Sequence, residues 1–220
     1  MKKILLLVLV AITTVSFSQE SMTEGVVYSK QTMSTDNAQM QSQLAMIGDI
    51  LTTTYFKEGK TRSETSNIMT GSSYSIMDSE NNEMLMAMNN QMTGKKYVVK
   101  SMEPSEEDLK NVTITKGDET KTVLGYECQE YNVEVNKDGV VVTMDVYTTD
   151  KLTAISQQST MMGADLNGFP LYMTMNMSQM GMNLTITNEV TEIKKESVSD
   201  DKFDMTPPEG YEKTDKLQGM

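Results

Sequence analysis

The sequence predicts an α+β fold in which one large antiparallel sheet dominates. Apolar and polar residues alternate with a period of two over many short segments, as in strands that bury one face. Clusters of Gly, Asn, Asp and Ser separate these segments, which is typical of hairpin turns. Helical periodicity is confined to a few short segments, and no linker or shift in composition divides the chain. We therefore expect a single domain over residues 19–220.

One amphipathic helix is predicted near the start of this domain, after a first strand at Glu24–Met33. Its apolar stripe is Met40, Leu44, Ile47 and Leu51, at the spacing of one helix face. Thr35 or Asp36 is the expected N-cap, and Gly48 ends the helix. The period then changes to two, with Thr52, Thr54 and Phe56 on one side. The segments predicted as strands in this half are Ile50–Lys57, Thr61–Asn67, Gly71–Met77, Glu83–Met88 and Lys95–Lys100.

The pattern in the second half of the sequence predicts longer hairpins. The expected strands are Val112–Lys116, Thr120–Val135, Val140–Thr148, Phe169–Met177 and Met182–Glu192. A turn is expected at Gly117–Asp118, and a loop at Asn136–Gly139. Tyr126 and Cys128 have the opposite parity to Tyr131 and Val133, so a bulge near Gln129 is needed to place both pairs on one face. Leu152–Met162 is predicted to form a short helix.

Residues 1–18 have the layout of a secretory signal peptide. Lys2 and Lys3 precede an apolar run from Ile4 to Val15, and the small residues Ser16 and Ser18 follow it. The run is shorter than the roughly 20 residues of a spanning helix, and no other segment approaches that length. We expect an exported protein, periplasmic or secreted, with no membrane span.

Charge and composition argue against several classes of function. The formal charge of −12 opposes binding to nucleic acid or anionic lipid surfaces. The absence of His and the presence of one Cys leave no common zinc site and no nucleophile–base pair. Cys128 is predicted to be a buried, unreactive residue. The sequence thus predicts a protein that is not an enzyme and that holds no metal or other cofactor.

Methionine, present 22 times, is the most unusual feature. On the last hairpin, Leu171, Met173, Met175 and Met177 share one face with Met182, Leu184 and Ile186, and Met84, Met86 and Met88 form a further row. These rows are interpreted in four ways. The four interpretations are an ordinary hydrophobic core, a pliable wall that contacts an acyl chain, a thioether site that binds Cu(I) or Ag(I), and a set of side chains that is oxidised in place of other groups.

Several motifs together resemble an exported bacterial family, domain of unknown function 4412. They are the stretch Thr122–Tyr131 with its "lGYxCxxY" pattern, Val140–Thr148 followed by Asp150-Lys151-Leu152, Gly168-Phe169-Pro170-Leu171, and the closing Phe203–Tyr211. That family is similar to the LolA/LppX-like lipoprotein carriers. The resemblance implies a curved antiparallel sheet forming an open half-barrel, with one or more helices across its concave face. We expect the helix of Met40, Leu44 and Ile47 to lie there.

The resulting expectation is a non-enzymatic exported binding protein that holds a lipid or acyl chain in a methionine-rich half-barrel. The expected partners are a hydrophobic small molecule or lipid and an envelope protein, and nucleic acid is excluded. A Cu(I)/Ag(I)-handling protein and a structural envelope protein without ligand remain as alternatives. The predicted ligand-binding residues are Met84, Met86, Met88, Met173, Met175, Met177, Met182 and Leu184.

Overall fold

The structure is a computed structural model that describes residues 20–67, 71–137, 140–163, 166–179 and 182–217. The predicted signal peptide lies outside these ranges. The strands are β1 Glu24–Thr35, β2 Ile50–Lys57, β3 Lys60–Asn67, β4 Gly71–Asp78, β5 Glu83–Asn90, β6 Gly94–Ser101, β7 Val112–Val123, β8 Tyr126–Lys137, β9 Val140–Thr149, β10 Phe169–Gln179, β11 Met182–Lys194 and β12 Glu212–Lys213. The helices are α1 Ala38–Ile47, α2 Glu106–Leu109 and α3 Gln157–Met162, with a 3₁₀ turn at Asp200–Phe203.

All twelve strands belong to one open sheet. Their order is β12-β6-β5-β4-β3-β2-β1-β11-β10-β9-β8-β7, and every pair is antiparallel except the short pairing of β12 with β6. Most neighbours are hairpins, because the chain alternates between strands and tight turns as the sequence predicts. The coarse prediction of an α+β protein dominated by a large antiparallel sheet is confirmed.

The chain path requires the sheet to be curved. β6 and β7 lie ten strand spacings apart, which is roughly 48 Å in a flat sheet. The link from Ser101 to Val112 has eleven Cα steps and spans at most about 38 Å when fully extended. The short helix α2 reduces that reach further. The two sides of the sheet must therefore curl toward each other, and the link passes over the concave side.

A connection between β9 and β10, here called the strap (Leu152–Gly163), lies on one face of the sheet, the inner face. The backbone N–H of Ile155 donates to Thr61 Oγ1 at 2.8 Å, and Gln157 Nε2 donates to Met86 Sδ at 3.5 Å. Leu109, on the link from β6 to β7, approaches Gly163 at the end of the strap. The strap and the link thus share the concave side, and the inner face is that side.

The opposite face is covered by the C-terminal segment. Val198 and Phe203 are buried with Val26, Ile76 and Leu85 in a cluster surrounded by half-buried tyrosines. Glu24 accepts a hydrogen bond from the Val198 backbone N–H at 2.8 Å. Both faces of the sheet therefore carry packed clusters. The inner face keeps an open space next to the strap, and a second open space, lined by Leu51, Arg62, Tyr74 and Tyr211 among others, lies on the opposite face.

The helix α1 forms where it is predicted, but its packing differs. Asn37, and not Thr35 or Asp36, caps the helix by accepting from the Met40 backbone N–H at 3.0 Å, and Gly48 ends it as expected. No residue of α1 is buried, although Met40, Leu44 and Ile47 are its less exposed side chains. The predicted position of α1 across the concave face is not confirmed. It is the strap that contacts the centre of the inner face.

The predicted turn at Gly117–Asp118 is wrong. β7 continues to Val123, and the hairpin turns at Leu124–Gly125. The register between β7 and β8 shifts between Lys116 and Thr120, so Gly117–Glu119 form a bulge opposite Glu130. A side chain at position 117 would collide with the Glu130 carboxylate, which explains the glycine. The bulge expected in β8 near Gln129 is therefore wrong: the extra residues lie on β7, and β8 keeps an unbroken register with β9 past Gln129.

Candidate functional site

The described side chains of the predicted methionine rows point to the inner face, but they differ in burial. Met84, Met86 and Met173 are fully buried, whereas Met88, Met175, Met177 and Leu184 are half-buried. The backbone of Met182 pairs with Gln179, while its side chain lies outside the described part. The prediction that both apolar rows of the last hairpin share one face is confirmed, since Met175 pairs with Ile186 and Met177 with Leu184.

The structure separates these residues into two groups. Met84, Met86 and Met88 lie on β5 and pack with Met77, Val98 and Leu217. Met173 and Met175 lie on β10 and pack with Tyr131, Met144 and Met162. Six strand spacings, roughly 29 Å along the sheet, separate β5 from β10. The two groups therefore do not form a single surface.

Half-buried apolar side chains continue from β10 across the inner face, and we call this set the apolar wall. It consists of Met33, Val112, Ile114, Val135, Val142, Met175, Met177, Leu184 and Ile186. Two rows of directly paired residues build it. One row runs from Val112 to Leu184 through Met177. The other runs from Ile114 to Met33 through Met175, and the buried residues Val133 and Met144 lie between Ile114 and Met175 in it. Paired residues have Cβ atoms about 5 Å apart, so the wall is continuous.

Beside the apolar wall, on β1 to β4 and β11, the inner face is polar. We call this set the hydroxyl floor: Ser29, Gln31, Thr52, Thr54, Ser63, Thr65, Ser73, Ser75 and Asn188. It lines a cleft of about 180 Å³, and the strap residues Ile155–Gln158 and the ring of Phe169 form its other side. The alternation of hydroxyl residues on β2, β3 and β4 places them in neighbouring rows on this one face.

The electrostatic character of the cleft is neutral. Among the described residues that line it, none is charged. The ion pairs lie elsewhere: Lys57 Nζ is 2.7 Å from Asp200 and Arg62 Nε is 2.6 Å from Glu64. On the opposite face, the Arg62 guanidinium lies 4.1 Å from the centre of the Tyr74 ring. Recognition in the cleft therefore depends on hydrogen bonding and shape.

Cys128 is buried in a cluster with Val27, Phe56 and Leu171. Burial raises the pKa of its thiol to about 11, well above the ordinary value of 9.0. The Sγ atom lies 3.6 Å from the carbonyl oxygen of Tyr126. A thiol of this kind is protonated at neutral pH and is a weak nucleophile. The prediction that Cys128 is buried is confirmed.

Two further observations concern the described ranges only. They contain no group of three His, Cys, Asp or Glu side chains arranged to hold a metal ion. None of their helices has the length and apolar character that crossing a bilayer requires.

The hydroxyl floor is not among the sites predicted from the sequence. Its signal was present, since Thr52 and Thr54, Ser63 and Thr65, and Ser73 and Ser75 each alternate with a period of two. Such alternation normally marks a solvent-facing side of a strand. Only the strand order and the position of the strap show that this side lines a cleft.

Comparison with solved structures shows a shared fold. The chain is similar to the structure of PNGF-II in space group C2, with 17% sequence identity and a TM-score of 0.51. The match covers 86% of this chain but 30% of that one, so this chain spans less than a third of PNGF-II. At this identity the likeness concerns the fold alone.

Comparison by sequence gives the family. No functionally curated protein matches the chain. The predicted likeness to the lipoprotein carriers is a separate point that these comparisons do not show. The family model described as domain of unknown function (DUF4412) matches residues 37–211, which is most of the chain. The protein therefore belongs to the DUF4412 family.

Proposed function

We propose that the protein is a non-enzymatic, exported binding protein that holds the acyl chain of a lipid-like ligand against the apolar wall. The observation that carries this proposal is the continuous set of half-buried apolar side chains on the concave side, beside an open cleft. Met33, Met175 and Met177 lie in this set together with aliphatic residues of β7, β8, β9 and β11.

Burial of an acyl chain is energetically reasonable here. A soluble protein rarely leaves a contiguous apolar surface open unless that surface has a binding role. Each methylene removed from water contributes about 0.8 kcal/mol, so ten methylenes give roughly 8 kcal/mol before the cost of ordering the chain. The methionine side chains are unbranched and polarizable, which lets the wall adapt to different conformations of one chain.

The buried methionines have a different role in this proposal. Met77 and Met84 pair directly across β4 and β5 and are completely buried, and Met173 is nearly so. These side chains fill the core beneath the strap. Of the eight residues expected to bind ligand, Met175, Met177 and Leu184 contact the acyl chain in this proposal.

Export through residues 1–18 and a role like that of the lipoprotein carriers belong to the same proposal. The motif resemblance supports them, and a curved sheet with an open concave side is the shape that such a role needs. The natural partners would be a lipid and an envelope protein that delivers or receives it. Residues 19–220 would act as one domain.

The proposal can be tested with the uncharged fluorescent probe N-phenyl-1-naphthylamine and three variants. The wild-type protein should bind the probe and release it when monooleoylglycerol is added. Met177→Lys should weaken binding at least tenfold while the protein stays folded, because a lysine at this half-buried position extends its charge to water across the wall. Asn176→Lys, on the exposed side of the same strand, should bind normally. Met173→Lys should unfold the protein.

Other outcomes favour the alternatives. If the wild-type protein binds neither probe nor lipid but binds Cu(I), and if Met175→Leu removes that binding, the methionines form a metal site. If it binds nothing, the concave side serves a structural role.

A further inference from the structure

We infer that the hydroxyl floor binds the head group of the same ligand, and that this head group is uncharged and carries several hydroxyls, as glycerol or a sugar does. This inference rests on the proposed function and names the class of lipid. It starts from the composition of the cleft, where serine and threonine hydroxyls and carboxamides face one another and none of the lining residues that the structure describes is charged.

Part of the floor is already paired within the protein and part is not. Thr52 and Thr65 share a hydrogen bond of 2.8 Å, and Thr54 and Ser63 share one of 3.0 Å. Among the described residues, the hydroxyls of Ser29, Ser73 and Ser75 make no such bond. Each hydroxyl both donates and accepts, so this part of the floor matches a ligand whose groups also do both.

A charged head group fits the cleft poorly. A carboxylate or phosphate needs arginine or lysine to replace its hydration, and the lining supplies neither. The formal charge of −12 on the whole chain adds a repulsive field. A cationic head group would need a carboxylate, which the lining also lacks. An uncharged polar group avoids both problems.

The floor and the apolar wall are continuous, so that one ligand can contact both. Along β1, Met33 of the wall is followed on the same face by Gln31 and Ser29 of the floor. Along β11, Ile186 is followed in the same way by Asn188. Each step along a strand is about 7 Å, so an acyl chain on the wall brings its first polar atoms to the floor.

The test uses three ligands with the same oleoyl chain and different heads. Monooleoylglycerol is an uncharged diol, oleic acid a carboxylate, and oleoyl lysophosphatidic acid a phosphate. Each displaces N-phenyl-1-naphthylamine from the protein in a competition titration at pH 8. We expect monooleoylglycerol to displace the probe at a concentration at least fivefold lower than either anion.

Variants then assign the preference to the floor. Ser73→Ala with Ser75→Ala should weaken displacement by monooleoylglycerol more than displacement by oleic acid, and so remove most of the fivefold preference. Ser72→Ala, exposed on the other side of β4, is the matched control and should keep the preference. If the double variant does not fold, Ser73→Ala alone, at the half-buried position, should reduce the preference at least twofold.

The outcomes separate this inference from the proposed function. Equal displacement by the three ligands, stronger displacement by an anion, or an unchanged preference in the Ser73 variants would overturn the head-group inference while acyl binding stands. If the protein binds neither probe nor any oleoyl ligand, the proposed function fails, and the inference fails with it.

Discussion

The backbone N–H of Ile155 donates a hydrogen bond of 2.8 Å to the hydroxyl of Thr61, and this bond joins the strap to the centre of the sheet. Thr61 is completely buried on β3, next to Phe56 and Met77 in the register. The bond fixes the strap at the point where it borders the cleft. This bond is one of several contacts that position the strap, together with those of Gln157 with Met86 and of Thr160 with Met77.

Replacing Thr61 with valine should destabilise the protein. Valine keeps the shape of threonine but leaves the Ile155 N–H without its partner, a loss of about 1–3 kcal/mol for a buried donor. Thr61→Ser retains the hydroxyl and should lose less. Urea unfolding of the three proteins measures the difference. Equal stability of the valine and serine variants would show that the bond does not hold the strap.

Gly168, where the chain leaves the region of the strap and enters β10, should not tolerate alanine. Its φ is +88°, and an added Cβ would lie 2.7 Å from the carbonyl oxygen of Thr149. Gly210 is a matched control, because its φ of +78° is similar and its Cβ would meet nothing within 4 Å. Both alanine variants should lose about 1–2 kcal/mol to the left-handed backbone. Thermal unfolding should show a clearly larger loss for Gly168→Ala, and equal losses would contradict a steric clash with the Thr149 carbonyl.

Cys128 should make stability dependent on alkaline pH. The pKa of its thiol is raised to about 11 in the folded protein, from an ordinary value of 9.0. The folded state thus keeps a proton that the unfolded state releases, so this contribution is fully present below pH 9 and is lost as the pH rises toward 11. Under reducing conditions, the wild-type protein should lose more stability over this range than Cys128→Ala.

The burial of Cys128 can also be tested by thiol labelling at neutral pH. Native Cys128 should react slowly with a thiol reagent, because it is buried and protonated. Labelling at the rate of the unfolded protein would contradict its burial.

Much of the sheet is predictable from the sequence because the physical signals are local. Period-two alternation identifies Met173, Met175 and Met177 as one face of a strand, and a tight turn places Leu184 on the same face. Gly48 ends α1 because its conformation is one that other residues rarely adopt.

The remaining features depend on contacts between distant parts of the chain. Gly117 and Asp118 have the composition of a turn, yet they form a bulge because β7 continues to pair with β8 beyond them. Met40, Leu44 and Ile47 are the less exposed apolar side chains of α1, whereas Leu51, the fourth residue of the predicted stripe, lies exposed on β2. Nothing in the spacing shows whether the helix or the strap covers the inner face. The hydroxyl floor becomes a site only when the strands order its rows and the strap borders them.

Photo-crosslinking can show directly whether an acyl chain lies on the apolar wall. A monoacylglycerol with a diazirine in its alkyl chain is bound to the wild-type protein and irradiated, and the labelled peptides are located by mass spectrometry. We expect labels on β10 and β11, at or near Met175, Met177 and Leu184. These labels should disappear when unlabelled monooleoylglycerol is in excess. Labels confined to the opposite face, for example near Val198 or Phe203, or labelling that the competitor does not reduce, would contradict binding on the apolar wall.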